Sequence, residues 1–320
     1  MRNKASELLT PQDIQALTRR SNAAGAFAVL RTWALIAGAL ALAALFPNPL
    51  VWIAAAVILG ARQLALAVLM HEAAHFTLMQ NRRANDFLGQ WLAGAFVFQN
   101  LAMYRQHHLQ HHRHTGTADD PDLSLASAFP VSRASLARKF ARDLSGLTGL
   151  KVLLGSLLML SGFLQYDASG GQRGPDGKPR RGTPSLRTAF RALVPALLAQ
   201  VLVFAVLAAC GHPGLYALWA LSWLTVFQLL LRIRSIAEHA MTADPHDALN
   251  NSRTTRAHAW ERLLYAPLNV NYHLEHHLLA AVPFFRLPEM HALLEERGVF
   301  TRPAAVAAGY AEVLKAAAGG

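Results

Sequence analysis

Histidine is the residue type this sequence uses most unusually, at 15 of 320 positions. Most of the histidines fall into four short clusters: His71 and His75 in HEAAH, His107, His108, His111 and His112 in HHLQHH, His239 in AEHA, and His273, His276 and His277 in HLEHH. On a helix, residues three and four apart share a face, so each multi-histidine cluster presents converging imidazoles. Converging imidazoles ligate metals, and the pattern His-x-x-His-His occurs twice. One register per cluster gives nine candidate ligands: His71, His75, His108, His111, His112, His239, His273, His276 and His277. One ion cannot use nine imidazoles, whereas two ions can take four or five each. Imidazole suits iron, zinc, copper and nickel, so a redox pair is the expected centre. His107 and His114 are left out of the ligand set, and His246, His258 and His291 are read as structural.

These clusters must be positioned by something apolar. The chain is 53% hydrophobic and 15% charged, with a mean hydropathy of +0.24, against about 25% charged in an ordinary soluble domain. Apolar runs at about 25–46, 50–70, 190–209 and 214–232 each approach the length that crosses about 30 Å of hydrocarbon. Breaks at Pro47-Asn48-Pro49 and Gly211-His212-Pro213-Gly214 divide them into two hairpins. Weaker apolar stretches at 87–103 and 147–164 compete as spans. If 147–164 crossed, the basic loop from Gly170 to Pro184 would face outward, against the bias of Lys and Arg toward the cytoplasm. The expected fold is therefore an all-α integral membrane protein. It has four transmembrane helices in two hairpins, in-plane helices, and a cytoplasmic helical cap carrying the histidine boxes. It forms one domain over 1–320, with both termini cytoplasmic and catalytic segments at about 71–146 and 233–300.

The remaining signals narrow the class. A net charge of +11 suggests nucleic acid at first sight, but the cations lie between apolar runs, where topology and lipid headgroups account for them. No nucleic-acid partner is expected. The single cysteine, Cys210, excludes an intrachain disulfide and a cysteine-based metal cluster, and no Gly-rich phosphate loop is present. Thr10, Pro11 and Asp13 predict a capped polar helix ahead of the first span rather than a secretory signal. A helix over Pro288 to Arg297 should stop at Gly298, before an alanine-rich stretch ending near Ala318. Acids beside the boxes, Glu72, Asp119, Asp120, Asp122, Glu238 and Glu275, are expected to accept the second N–H of the ligating rings. Asp119 and Asp120 serve equally well as caps for the turn before Pro121, and Asn269 is a further polar neighbour, reaching the site through water.

With HEAAH at 71–75, HLQHH at 108–112 followed by DDPD at 119–122, HLEHH at 273–277 and the additional His239, the chain resembles the membrane fatty acid desaturase and hydroxylase superfamily over roughly 50–290. That resemblance implies an all-histidine nonhaem centre of two iron ions, with O2 as cosubstrate. It implies attack on an unactivated C–H bond of a lipid acyl or prenyl chain, giving desaturation, or hydroxylation in the lipid hydroxylase and carotenoid hydroxylase or ketolase branches. Some acyl-CoA branches have four residues between the first two histidines; three stand here, which argues against acyl-CoA as substrate. The resemblance also implies an external electron donor, a ferredoxin, rubredoxin or cytochrome b5 with its reductase. Arg173, Arg180 and Arg181 are candidates to dock an acidic donor. The expected location is the bacterial inner membrane, with the metal site cytoplasmic.

Two rival classes share some of these residues. HEAAH also satisfies His-Glu-x-x-His, the zinc metalloprotease motif with Glu as general base, but an intramembrane protease would leave the other boxes without a role. A transporter would need polar groups along a path through the spans. Arg31, Arg62 and Gln63 are the main exceptions there, and Arg31 sits near a helix end where it can snorkel. His212-Pro213-Gly214 is similar to part of the haem motif of cytochrome b5, but a hairpin between two spans leaves no room for that domain.

Overall fold

The computed structural model describes residues 5–168, 178, 180–301 and 305–319. Four helices are long and apolar enough to cross a membrane: Asn22–Leu45, Pro49–Ala74, Leu186–Ala209 and Leu215–His239. Local chemistry starts the first three. Ser21, Asn48 and Ser185 each accept a hydrogen bond from a first-turn N–H, and Pro49 occupies the first turn of the second helix. The expected hairpin breaks lie between the first and second and between the third and fourth spans. Large apolar side chains face outward, among them Phe27, Leu30, Leu50, Ile53, Leu186 and Phe190. Small residues such as Ala39, Ala43, Ala55 and Ala61 are buried between helices, the distribution a bilayer selects.

The second span is the central one. Two-thirds of its apolar window is buried, 67%, against 33% in each of the other three. It packs closely on the fourth span at a π-helical turn, Trp223–Phe227. A side chain at Gly60 would stand 2.7 Å from Val226 and 3.0 Å from the Phe227 backbone nitrogen, so only glycine fits. Two polar residues inside its apolar stretch, Arg62 and Gln63, bond to backbone carbonyls of other elements. Arg62 donates to the Leu263 carbonyl, and Gln63 donates to the Trp219 carbonyl at 2.9 Å.

The observed helices run past two expected ends. The second span continues from residue 70 through Ala74 and the fourth from 232 through His239, because burial against the cap keeps their backbones paired after the apolar run stops. The stretch 87–103 is not a span. It holds a short helix, Arg82–Trp91, a 3-10 turn, Gly94–Val97, and the start of the helix Leu101–His114. Leu147–Leu160 is bent by 64° from Arg133–Leu144. Its 14 residues span about 21 Å, too short to cross alone.

The cap is built from Leu101–His114, Ala259–Leu264, His273–Leu278, Leu287–Glu296 and Tyr310–Ala317, with a two-residue parallel bridge between Thr254–Thr255 and Val306–Ala307. The N-terminal helix Pro11–Leu17 has the expected reciprocal cap between Thr10 and Asp13. It joins the same layer, with Leu9 and Leu17 packing among Met290, Leu294 and Val299. Arg297 bonds Asp13 at 2.7 Å, and Gly298, at φ +67°, ends the helix before it. Both described ends of the chain therefore lie in the cap.

Candidate metal centre

Box one sits at the cap end of the second span, with His71 in the last helical turn and His75 as its C-cap. His239 ends the fourth span. The other imidazoles come from cap helices: His108, His111 and His112 from Leu101–His114, and His273, His276 and His277 from His273–Leu278. Arg105 locks the first two boxes together. From the box-two helix it donates to the Ala73 and Ala74 carbonyls at 2.8 and 3.0 Å, pairs with Asp86 at 2.5 Å, and lies over the Phe76 ring.

The structure brings all nine candidate histidines together in two adjoining groups. His71, His75, His108, His112 and His276 form one, their ligand nitrogens all within 4.8 Å of one another. His111, His239 and His277 form the other. His273 joins it, its Nε2 2.8 Å from that of His239 and 3.1 Å from that of His277. The groups adjoin through His112 and His277, whose rings stack at 4.1 Å.

These nitrogens fit metal ions better than one another. An imidazole nitrogen has a single in-plane site, a proton or a lone pair. Yet His239 Nε2 faces both His111 Nε2, at 3.2 Å, and His273 Nε2, at 2.8 Å. His112 Nε2 likewise faces His108 and His276 Nε2, each at 3.1 Å. One site cannot bond two such neighbours, whereas nitrogens aimed at a common cation need not. His71 Nε2 and His75 Nε2 are buried with no hydrogen-bond partner. Burial and the neighbouring imidazoles push His108, His112, His273, His276 and His277 well below the usual imidazole range, leaving neutral rings with lone pairs to give. His111 is the exception: burial opposes its proton, but the hydrogen bond to Asp120 and the charge of Asp122 raise it.

The sequence match to these residues extends beyond the boxes. A family model described as fatty acid desaturase matches residues 47–304. The chain belongs to the fatty acid desaturase family. It is 28% identical to the dihydrorhizobitoxine desaturase of Bradyrhizobium elkanii over 276 residues, 84% of this chain and 74% of that one. Shorter matches connect it to carotenoid enzymes. It is 39% identical over 62 residues to the beta-carotene ketolase of a Paracoccus species, 18% of this chain and 24% of that one. It is 38% identical over 60 residues to the zeaxanthin 4-ketolase of Chlamydomonas reinhardtii, 18% and 14% of the two chains. With four apolar helices, family membership makes the protein an integral membrane, desaturase-like oxidoreductase. The protease reading ends here, since both HEAAH histidines belong to a five-ring group. The Glu72 carboxylate, moreover, accepts from Thr77 Oγ1 at 2.7 Å and from the Phe284 N–H at 3.1 Å.

The acids expected around the boxes divide by position. Asp120 lies 2.8 Å from His111 Nδ1 and also accepts from the Gly116 and Asp122 N–H groups. Asp122 approaches His111 Nδ1 only to 3.9 Å and binds His107 Nε2 at 2.7 Å. Glu238 stands 3.5 Å from His273 Nδ1, and Glu72 stands 3.6 Å from His71 Nδ1. Three expected neighbours face elsewhere. Asp119 is exposed, and Asn269 donates to the Phe284 carbonyl at 3.1 Å. Glu275 is fully buried but binds Thr254 Oγ1 and His291 Nδ1, because it occupies the side of its helix opposite the three histidines. The backbone N–H groups of His246 and His258 donate to Asp244 and Glu261 in local turns.

Some residues were not singled out from the sequence. Thr115 Oγ1 lies 3.2 Å from His277 Nδ1, Arg234 pairs with Glu238 at 2.6 Å, and Tyr104 stacks on His108 with ring centroids 5.1 Å apart. Each stands four residues from a site residue in sequence: Thr115 from His111, Arg234 from Glu238, Tyr104 from His108. Helical spacing was the available signal.

Proposed function

We propose that this chain is an O2-dependent lipid desaturase whose two iron ions are held by the nine box histidines. His71, His75, His108, His112 and His276 would hold one iron, and His111, His239, His273 and His277 the other. Bound there as a reduced pair, the irons would supply the redox chemistry by which O2 takes two hydrogens from neighbouring carbons, two electrons from an external donor and two protons from water completing its reduction to two water molecules. The protein's part is positional. Asp120 and Thr115 hold ring nitrogens in place from behind, Glu238 sets its charge beside His273, and the buried cap limits access of water. The observation that carries the reading is the convergence of nine imidazoles into two adjoining groups at the ends of two spans.

Desaturation is favoured over oxygen insertion because the desaturase relative aligns along most of both chains, whereas the ketolases align over about 60 residues. An acyl or prenyl lipid fits a site at the bilayer edge. The cytoplasmic side is favoured because Arg138, Lys139 and Arg142 lie on a helix that packs against the cap end of the fourth span. A ferredoxin, rubredoxin or cytochrome b5 is the donor class, with Arg180 and Arg181 available to meet it; Arg173 lies outside the described residues.

The test combines metal and product. Protein purified in detergent from iron-supplemented cells should carry about two metals per chain, and His276→Ala should lower that number. Lipid extracts of expressing cells should show a product lighter by two hydrogens, absent with His276→Ala. A product heavier by one oxygen would replace desaturation with hydroxylation or ketolation. One zinc retained in the variant would overturn the two-metal reading.

A further inference from the structure

The helix Arg133–Leu144 lies outside the histidine centre and carries a cationic surface that the oxidation chemistry does not use. Arg138, Lys139 and Arg142, with Ser135 and Ala141, line a groove of about 350 Å³. Residues 135, 138, 139 and 142 follow at three- and four-residue steps and share one side of the helix. The acid of this helix, Asp143, is fully buried and its carboxylate is taken by Arg232, at 2.5 and 2.8 Å. Among the described residues, Arg138, Lys139 and Arg142 make no ion pair. Burial and the nearby Arg232 and Arg142 push the Lys139 amine below the usual lysine range, with the Arg232-paired Asp143 opposing them, so the groove gathers three cations with no ion-pair partner of their own among the described residues.

The neighbouring helix indicates which anion fits. One turn after Arg142 the chain bends by 64° into the apolar helix Leu147–Leu160. Leu144, Leu147, Leu150 and Leu154 are each more than half exposed, and the last three share a face. Such a leucine surface belongs in hydrocarbon, which sets the adjoining groove at the level of the lipid headgroups. We propose that this groove binds the phosphate of an anionic glycerophospholipid whose acyl chains lie along the Leu147–Leu154 face. An acidic soluble protein fits less well, since even a transient protein interface buries on the order of 1,000 Å² and the surface next to this groove is apolar.

The test uses the full-length protein in detergent, beside a variant carrying Arg138→Gln, Lys139→Gln and Arg142→Gln. Native mass spectrometry counts retained phospholipid, and thermal unfolding is followed on adding phosphatidylglycerol, phosphatidylcholine or inorganic phosphate. The wild type should retain phosphatidylglycerol and be stabilised by it alone. The triple variant should bind it about 100-fold more weakly, as three interfacial cations imply. Arg138→Lys with Arg142→Lys should keep the binding, and single Arg138→Gln serves if the triple variant fails to fold. Equal phosphatidylglycerol binding by wild type and the Gln variant would overturn the proposal, as would equal stabilisation by inorganic phosphate. So would unchanged lipid binding with a raised requirement for an acidic ferredoxin in turnover, which would make the groove a protein-docking surface.

Discussion

The two imidazole groups are built differently. In the four-ring group three rings are hydrogen-bonded from behind, His111 to Asp120 at 2.8 Å, His277 to Thr115 at 3.2 Å and His239 to the backbone of Asn251, while His273 Nδ1 stands 3.5 Å from Glu238 without a hydrogen bond. In the five-ring group the only carboxylate close to a ring among the described residues is Glu72, 3.6 Å from His71, and that carboxylate is shared with Thr77 and Phe284. Its rings are held by one another and by Tyr104, which stacks on His108. Orientation thus comes from hydrogen bonding in one group and from packing in the other. The four-ring group should depend on single polar partners, and the five-ring group should tolerate their loss.

The largest effect expected comes from the rings themselves. His111→Ala and His276→Ala, one from each group, should each abolish turnover while leaving membrane insertion intact; wild-type product from both would dissolve the two-group description. Next is Arg234→Met, which strands the Glu238 carboxylate behind His273. Breaking a buried pair costs on the order of 3–5 kcal/mol, to be read as a lowered unfolding temperature in detergent. Asp120→Asn should weaken metal binding or activity about 10- to 100-fold, and Glu72→Gln should cost less in the same titration. Equal losses would erase the contrast. Thr115→Val should cost about 1 kcal/mol, a modest drop in metal affinity.

The smallest effect belongs to Asp13, far from either group. Thr10 and Arg297 hold its carboxyl down at about 2. Its contribution is present above the unfolded value of about 3.9 and is lost as pH falls toward 2. Asp13→Asn should therefore flatten a slight acid-side slope in stability and leave metal content unchanged.

The spans and boxes were legible because both depend on short-range pattern: apolar runs of bilayer length, and histidines at helical spacing. What lay beyond reach was direction. Glu275 sits between two box-three histidines in sequence, yet helical rotation turns it toward His291, a residue read as merely structural. Asn269 is four residues ahead of His273, but a backbone with φ +57° turns its amide to Phe284. Helix ends were misjudged for a related reason. Hydropathy falls at His71 and Arg232, but the helices continue because the cap, built from sequence far away, shields them.

The Arg105 clamp and the ring contacts also fix an order of assembly. His71 and His276 lie with ring centroids 4.6 Å apart, although one belongs to the second span and the other to the last quarter of the chain. During synthesis, box one is threaded into the membrane long before box three leaves the ribosome. A nascent chain can hold its first two boxes together through Arg105, but it cannot complete either cage. On the proposed two-metal reading, metal capture would be a late event in the life of the polypeptide, and chains cut short before box three should emerge inserted, clamped and without a full set of ligands.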